Sequence, residues 1–431
     1  MSRIKYITIA LLMFVCVATE AQRAYTHVAL LNAMVHVGNG RVIENGLVVI
    51  NKNKIETVAD TKGLRLNPSA YDTVIDLQGK HIYPGLINTN NVLGLHDAEA
   101  VRATVDFSEV GNLNPHIRSL IAYNTDNLII PTIKTNGILY TQATPRSGLI
   151  SGSSSVMALE GWNWEDAVLK ADDGIHVSFP RSVIHKWSEE EGLTKTANKK
   201  LSEEMQTLTK FFADAQAYCN TANNTEKNIR FEAMRPVFNG SANLYLHADK
   251  AKDLIGAINF AQQFKVKKPV IVGGKESYKI TALLNKNKIP VMLNRVNDLP
   301  DHTDDDVDIV FRLPYLLQRD SVLFCLQLEG DMEAMQSRNL PFNAGAAVAY
   351  GLTREQALSA ISYNPAKILG IDALTGTVEE GKLASLVVSD GDLLDMKTNN
   401  IVIAYIAGKP VKLTNHQTEL YQKYKSKYGI K

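Results

Sequence analysis

Two histidines stand in apolar, strand-like runs. His176 lies in Gly174-Ile175-His176-Val177, and His247 ends Leu244-Tyr245-Leu246-His247 before a polar turn. Imidazoles at strand ends bind divalent metals or exchange protons. Farther along, Gln327 precedes two carboxylates, Glu329 and Asp331. Either carboxylate could act as a catalytic general base, whereas the Gln327 amide cannot take a proton from water. As loop carboxylates they equally need no role beyond solvation. A third group is Asn88-Thr89-Asn90-Asn91, a run of polar side chains in which Asn90 could bind a substrate. Metal-activated hydrolysis asks for more than this. Catalytic zinc usually has three protein ligands, and a neutral amide is a poor one. His247 is therefore either a ligand or substrate contact, or a hydrogen-bonded polar residue at a strand end. His176 could join it, and His96-Asp97 could swing toward the pair. The acidic run Asp301–Asp308 suggests calcium but lacks the spaced ligands and glycine of an EF-hand loop, so it reads as solvated.

These residues need a scaffold that gathers strand ends. Strand-like runs at 137–140, 175–179, 244–247, 269–274, 289–293 and 322–326 alternate with helical patterns. One helix is expected over 248–264, where Ala251, Leu254, Ile255, Ile258, Ala261 and Phe264 recur at helical spacing. Others are expected over 277–285 and 352–362, the last capped by Thr353 with Gln356 at the capping-box position. Repeated βα units predict the α/β class and a (β/α)8 TIM-like barrel, with its chemistry at the C-terminal ends of the strands. No glycine-rich phosphate loop follows a strand, which weighs against a doubly wound sheet. Short β runs over 26–76, 376–388 and 401–406 predict a composite β-sandwich domain built from both termini. Lys186–Asn239 is expected as an outside helix pair, Trp162 and Trp164 as packing residues, and the basic, aromatic tail as a helix docked by its tyrosines. The expected division is 1–21 leader, 22–83 sandwich, 84–375 barrel, 376–413 sandwich and 414–431 tail.

The 46 basic and 45 acidic residues give no global pull toward nucleic acid or anionic lipid. Arg3 and Lys5, the apolar run Ile7–Val17 and the small residue Ala21 form a cleavable signal peptide, which predicts export to the periplasm or beyond. The run is too short to span a membrane. Cleavage after Ala21 removes Cys16 and leaves acidic and basic residues balanced. Cys219 and Cys325 remain, as free thiols or as one bridge.

The stretch His81-Ile82-Tyr83-Pro84-Gly85-Leu86-Ile87-Asn88-Thr89-Asn90-Asn91-Val92 resembles the first barrel strand of the amidohydrolase superfamily, the imidazolonepropionase-like metal-dependent hydrolases. Gly351–Ala360, Asn364–Gly370 and Gly376–Val388 resemble its C-terminal signature. By that resemblance Asn90 and Val92 hold the positions of the first two metal-binding histidines, and Asn88 that of an aspartate. His247 falls at the strand-five ligand, and Gly273 or Gly274 at the next histidine. Gln327 stands near the catalytic aspartate of strand eight. Asn114–Arg118, Gly148–Ser154 and Gly161–Ala167 are similar to an exported branch that also lacks the first metal pair and can occur beside an intact amidohydrolase.

The resemblance implies zinc or another divalent metal, yet most of its ligands are missing, with His247 the one candidate remnant. Two functions remain open. One is a catalytically impaired or non-catalytic barrel that binds a small-molecule ligand, or pairs with itself or an intact amidohydrolase. The other is an active hydrolase of amide or dipeptide-like carbon–nitrogen bonds at a remodelled site.

Overall fold

The computed structural model describes residues 27–430 except 64–66, 99, 189–191, 222–225 and 302–303. The expected leader and Cys16 lie outside the described residues. Both ends of the chain meet in one sheet. Its strands are β1 (His27–His36), β2 (Val42–Asn51), β3 (Lys54–Asp60), β4 (Thr73–Asp76) and β5 (His81–Pro84) from the N-terminal side, with β16 (Leu386–Ser389), β17 (Ile401–Ile406) and β18 (Lys409–Pro410) from the other. They form one eight-stranded hydrogen-bonded sheet, where two stacked layers were expected. The reason lies in β1. Its first half pairs with β4 and its second half with β5, across register irregularities between Leu30 and Val35. Bulged strands bend and twist, so one sheet can curl over its own core. Val28, Leu30, Val48, Ile50, Ile82, Leu386 and Val388 fill that core.

β5 runs through Gly85 into β6 (Leu86–Asn91), which opens the second sheet. That sheet continues through β7 (Ile138–Ala143), β8 (Ile150–Ala158), β9 (Val168–Ser178), β12 (Asn243–Ala248), β13 (Pro269–Gly273), β14 (Val291–Leu293) and β15 (Phe324–Leu326). A parallel bridge between Thr89 and Gln327 joins its first and last strands. Below the bridge, the amides of Leu326 and Ile87 donate to the carbonyls of Ala360 and Ile361, so a loop fills the rest of the seam. The result is a nearly closed eight-stranded barrel in a mixed α/β fold.

The barrel departs from a uniform (β/α)8 pattern at β8, which runs antiparallel to both β7 and β9. The connections 144–149 and 159–167 are too short for a parallel crossover, which needs a dozen or more residues. The first turns at Ser147 and Gly148, with φ of 103° and 66°. The second holds only the single helical turn Trp164–Ala167, capped by Asn163.

The expected outside helix pair begins instead with an antiparallel hairpin, β10 (Val183–Ser188) and β11 (Gly192–Ala197). The helices follow as Leu201–Asn220 and Ile229–Asn239. The first buries Leu208, Phe211, Phe212 and Ala215, which recur at helical spacing. Phe212 meets Phe260 edge-on at 4.8 Å, fixing this helix to Ala251–Gln263. The expected capping box of Thr353 and Gln356 is present at the helix Arg354–Ser359.

Trp164 packs against the barrel core, but Trp162, in the connection between β8 and β9, is 93% exposed. The tail helix His416–Lys427 buries no residue, and Tyr421, Tyr424 and Tyr428 are exposed instead of docked. Cys219 and Cys325 are free thiols. Among the described residues no helix is long and apolar enough to cross a membrane.

Candidate functional site at the barrel mouth

Polar side chains from five strands meet inside the barrel. Asp173 on β9 is fully buried and accepts hydrogen bonds from Tyr245 on β12, from Ser154 on β8 at 2.7 Å and from Gln142 on β7 at 2.9 Å. Burial raises the Asp173 pKa, and these three donors oppose the rise. The antiparallel β8 matters here, because it delivers Ser154 into this network. Ser154 Oγ also contacts His176 Nε2 at 2.9 Å, and His176 Nδ1 contacts His247 Nε2 at 2.9 Å. The His176 ring stacks on Tyr245, with centroids 4.4 Å apart. Burial, His247 and Arg146 lower the His176 pKa well below its ordinary value, which favours the neutral ring.

The chain of contacts continues outward. His247 Nδ1 lies 3.8 Å from Glu329 Oε2. The same carboxylate oxygen accepts from Asn90 Nδ2 at 2.9 Å. Arg146, in the turn after β7, donates to Asn90 Oδ1 and to the Asn90 carbonyl, each at 2.9 Å, and to both oxygens of Glu333 at 3.0 and 3.1 Å. Asn90 has φ of 48°, a left-handed conformation that asparagine tolerates, where the β6–β7 register shifts. Burial opposes ionisation of Glu329, but His247, Arg146 and the Asn90 amide outweigh it and hold its pKa well below the usual carboxylate range. Burial and the nearby Glu329 raise the Glu333 pKa, against the pull of Arg146. Desolvation disfavours the Arg146 charge, yet Glu333 and Glu329 raise its pKa overall.

Beside this network lies a cavity of about 230 Å³ over the ends of β12, β13 and β14. Asp249, Lys250, Lys275, Arg295 and Arg181 are among its walls. Asp301 bridges Lys250 and Lys275 within it. The expectation that the whole acidic run is solvated therefore fails at Asp301, whose side chain is 15% exposed because two lysines bind it. His302 and Thr303 of that run lie outside the described residues.

Residues 324–412 match the amidohydrolase family. An amidohydrolase from Thermotoga maritima MSB8 is 24% identical with a TM-score of 0.76, over 89% of this chain and 99% of that one. Residues 324–412 are thus amidohydrolase-like in sequence, and the chain as a whole shares the fold of amidohydrolases. Molinate hydrolase is 14% identical with a TM-score of 0.55, over 91% of this chain and 96% of that one. A prolidase complexed with N-methylphosphonate-L-proline is 15% identical with a TM-score of 0.54, over 90% of this chain and 100% of that one. At these identities the likeness to solved structures is one of fold. No curated protein matches the chain in sequence.

An amidohydrolase metal can be tested against the donors present. Whichever ring donates between His176 and His247, the shared proton commits both facing nitrogens. His176 Nε2 is committed to Ser154. That leaves His247 Nδ1 and Glu329, fewer than the three protein ligands of a catalytic zinc. Among the described residues no group of three or more His, Cys, Asp or Glu is placed to hold a metal ion. Val92 is buried in the apolar core, and β13 ends at Gly273 (φ 97°), where a Cβ would lie 2.5 Å from Asp249 Oδ1. The donor set does not fit the family's metal.

The candidates from sequence thus divide. His176, His247, Asn90 and Glu329 come together. Asp331 is exposed in the loop beyond, and Gln327 turns back to accept from the Glu329 amide at 2.6 Å. His96 packs edge-on against Phe107, and Asp97 accepts from Asn127, so neither joins the cluster. Asn88 donates outward to Ser337 at 2.8 Å. Sequence reasoning missed Arg146, Glu333, Asp173, Gln142 and Ser154. A signal existed for Gln142 alone: a polar side chain two residues after Tyr140 on an apolar strand must face the barrel interior with it.

Proposed function

We propose that this amidohydrolase-related barrel is non-catalytic, or nearly so, in metal-dependent hydrolysis, and that it binds a small ligand at its mouth. One observation carries the reading. The Arg146 guanidinium is hydrogen-bonded to Asn90, the residue at a lost ligand position by resemblance, and is neutralised by Glu333 and Glu329. A fixed cation thus stands beside the donors that a metal would use. Metal activation supplies the nucleophilic water in such hydrolases, and acid–base groups alone contribute only about 10²–10⁴-fold. The relatives described as prolidase, molinate hydrolase and amidohydrolase share the fold, and fold does not carry function by itself. Export through residues 1–21 and pairing with an intact amidohydrolase belong to the same reading and rest on the sequence.

A screen of N-acyl amino acids, dipeptides and simple amides, with and without added zinc, tests it. The expected result is no turnover above buffer. Zinc-dependent turnover abolished by His247→Ala would sink the proposal.

A further inference from the structure

The cavity beside the histidine network has a particular charge arrangement. Lys250 and Lys275 share Asp301, and Lys275 also reaches Asp298 at 3.2 Å. Asp253 accepts from the Ser182 amide through both oxygens at 3.1 Å. Two cations in the wall, Arg181 and Arg295, have no side-chain hydrogen bond or salt bridge among the described residues. Gly330 leaves room for the Arg295 guanidinium. A Cβ at Gly330, whose φ is 127°, would fall 2.5 Å from its Nη2. Among the described residues, the side chain of the remaining carboxylate, Asp249, receives only a long 3.4 Å bond from the Lys275 amide. The cavity thus offers two guanidinium groups without a side-chain hydrogen bond, Arg181 at its exposed rim and Arg295 partly buried, and one acceptor with spare capacity.

We infer that this cavity is a binding site for a small anion, a carboxylate or phosphate group held by Arg181 and Arg295, that also carries a hydroxyl or amino donor for Asp249. The inference rests on the reading of the mouth as a ligand-binding site and gives that ligand a chemistry. Guanidinium groups match planar carboxylates and phosphates through paired N–H donors, and two guanidiniums free of side-chain hydrogen bonds at one concave site favour such a ligand. The volume of about 230 Å³ lies below the range of drug-sized pockets, which restricts the occupant to metabolite size. Asp249 sets selectivity, because an anion lacking a donor would leave its carboxylate facing another negative charge without a hydrogen bond.

Calorimetric titration of the full chain lacking residues 1–21 with malate, succinate and inorganic phosphate tests the inference. Malate and succinate differ only in the hydroxyl. Malate is expected to bind more tightly than succinate, and Asp249→Asn to remove that difference. Arg181→Gln with Arg295→Gln is expected to weaken malate by about tenfold or more, with the fold kept by circular dichroism. Arg295→Lys, which keeps the charge but loses the fork, should give an intermediate loss. Tighter phosphate than malate would assign the anion as a phosphate ester, and the reverse as a carboxylate. Equal affinity in the wild type and the double arginine variant, or no binding of any probe, overturns the site and leaves the non-catalytic proposal standing. Amide turnover with intact anion binding would do the opposite.

Discussion

At the scale of single residues, Arg146 holds the mouth together. It lies between Asn90 and Glu333, with its side chain 19% and that of Glu333 8% exposed. Removing one partner of such a pair strands the other charge, at a typical cost of about 3–5 kcal/mol. Arg146→Met is predicted to lower stability toward urea by that order. Adding Glu333→Gln should recover part of the loss, and a double variant no more stable than the single one would contradict the assignment. His176 makes a separate prediction. Its folded pKa is depressed, chiefly by burial, so the unfolded chain takes up a proton first as pH falls. Stability should therefore drop as pH falls below about 6.5, the unperturbed imidazole value. His176→Gln should flatten urea midpoints in that window, and an unchanged slope would rule out the ring. The sequence made this cluster partly legible. His176 and His247 end or interrupt apolar runs, which marks them as barrel-mouth residues. Arg146 lies in an irregular loop and Glu333 opens the single-turn helix Glu333–Gln336, both too short for periodicity to give a direction, and their meeting depends on closure of the barrel.

At the scale of elements, the third barrel strand decides what enters the interior. β8 runs antiparallel because the turns on either side are short, and that orientation places Ser154 between Gln142, Asp173 and His176. The turn depends on Gly148, with φ of 66° and an added Cβ only 2.8 Å from the Asn112 carbonyl. Gly148→Ala is predicted to cost more than about 1 kcal/mol by thermal melting. No measurable loss would mean that the turn relaxes. Six of the barrel strands were visible as apolar runs, because both faces of such strands are covered. β8 was not, since Ser151-Gly152-Ser153-Ser154-Ser155 carries no apolar or alternating pattern. The β10–β11 hairpin was hidden too, because its two strands pair only with each other, in a sheet separate from the barrel.

At the scale of the whole molecule, two structures share one chain: a curled sheet made from both ends and a barrel threaded between them, joined at Gly85. A Cβ there would meet Leu139 at 2.5 Å. That closeness explains why the Pro84-Gly85 punctuation was so informative in the sequence. The same economy did not extend to chemistry. The barrel keeps its frame while its mouth is wired by imidazole, carboxylate, amide and guanidinium groups bonded to one another. The most direct test is the zinc content of the purified protein after incubation with excess zinc and removal of free metal, measured by plasma mass spectrometry. The prediction is zinc far below one equivalent, unchanged by His176→Ala or His247→Ala. One tightly held equivalent that either substitution releases would contradict it.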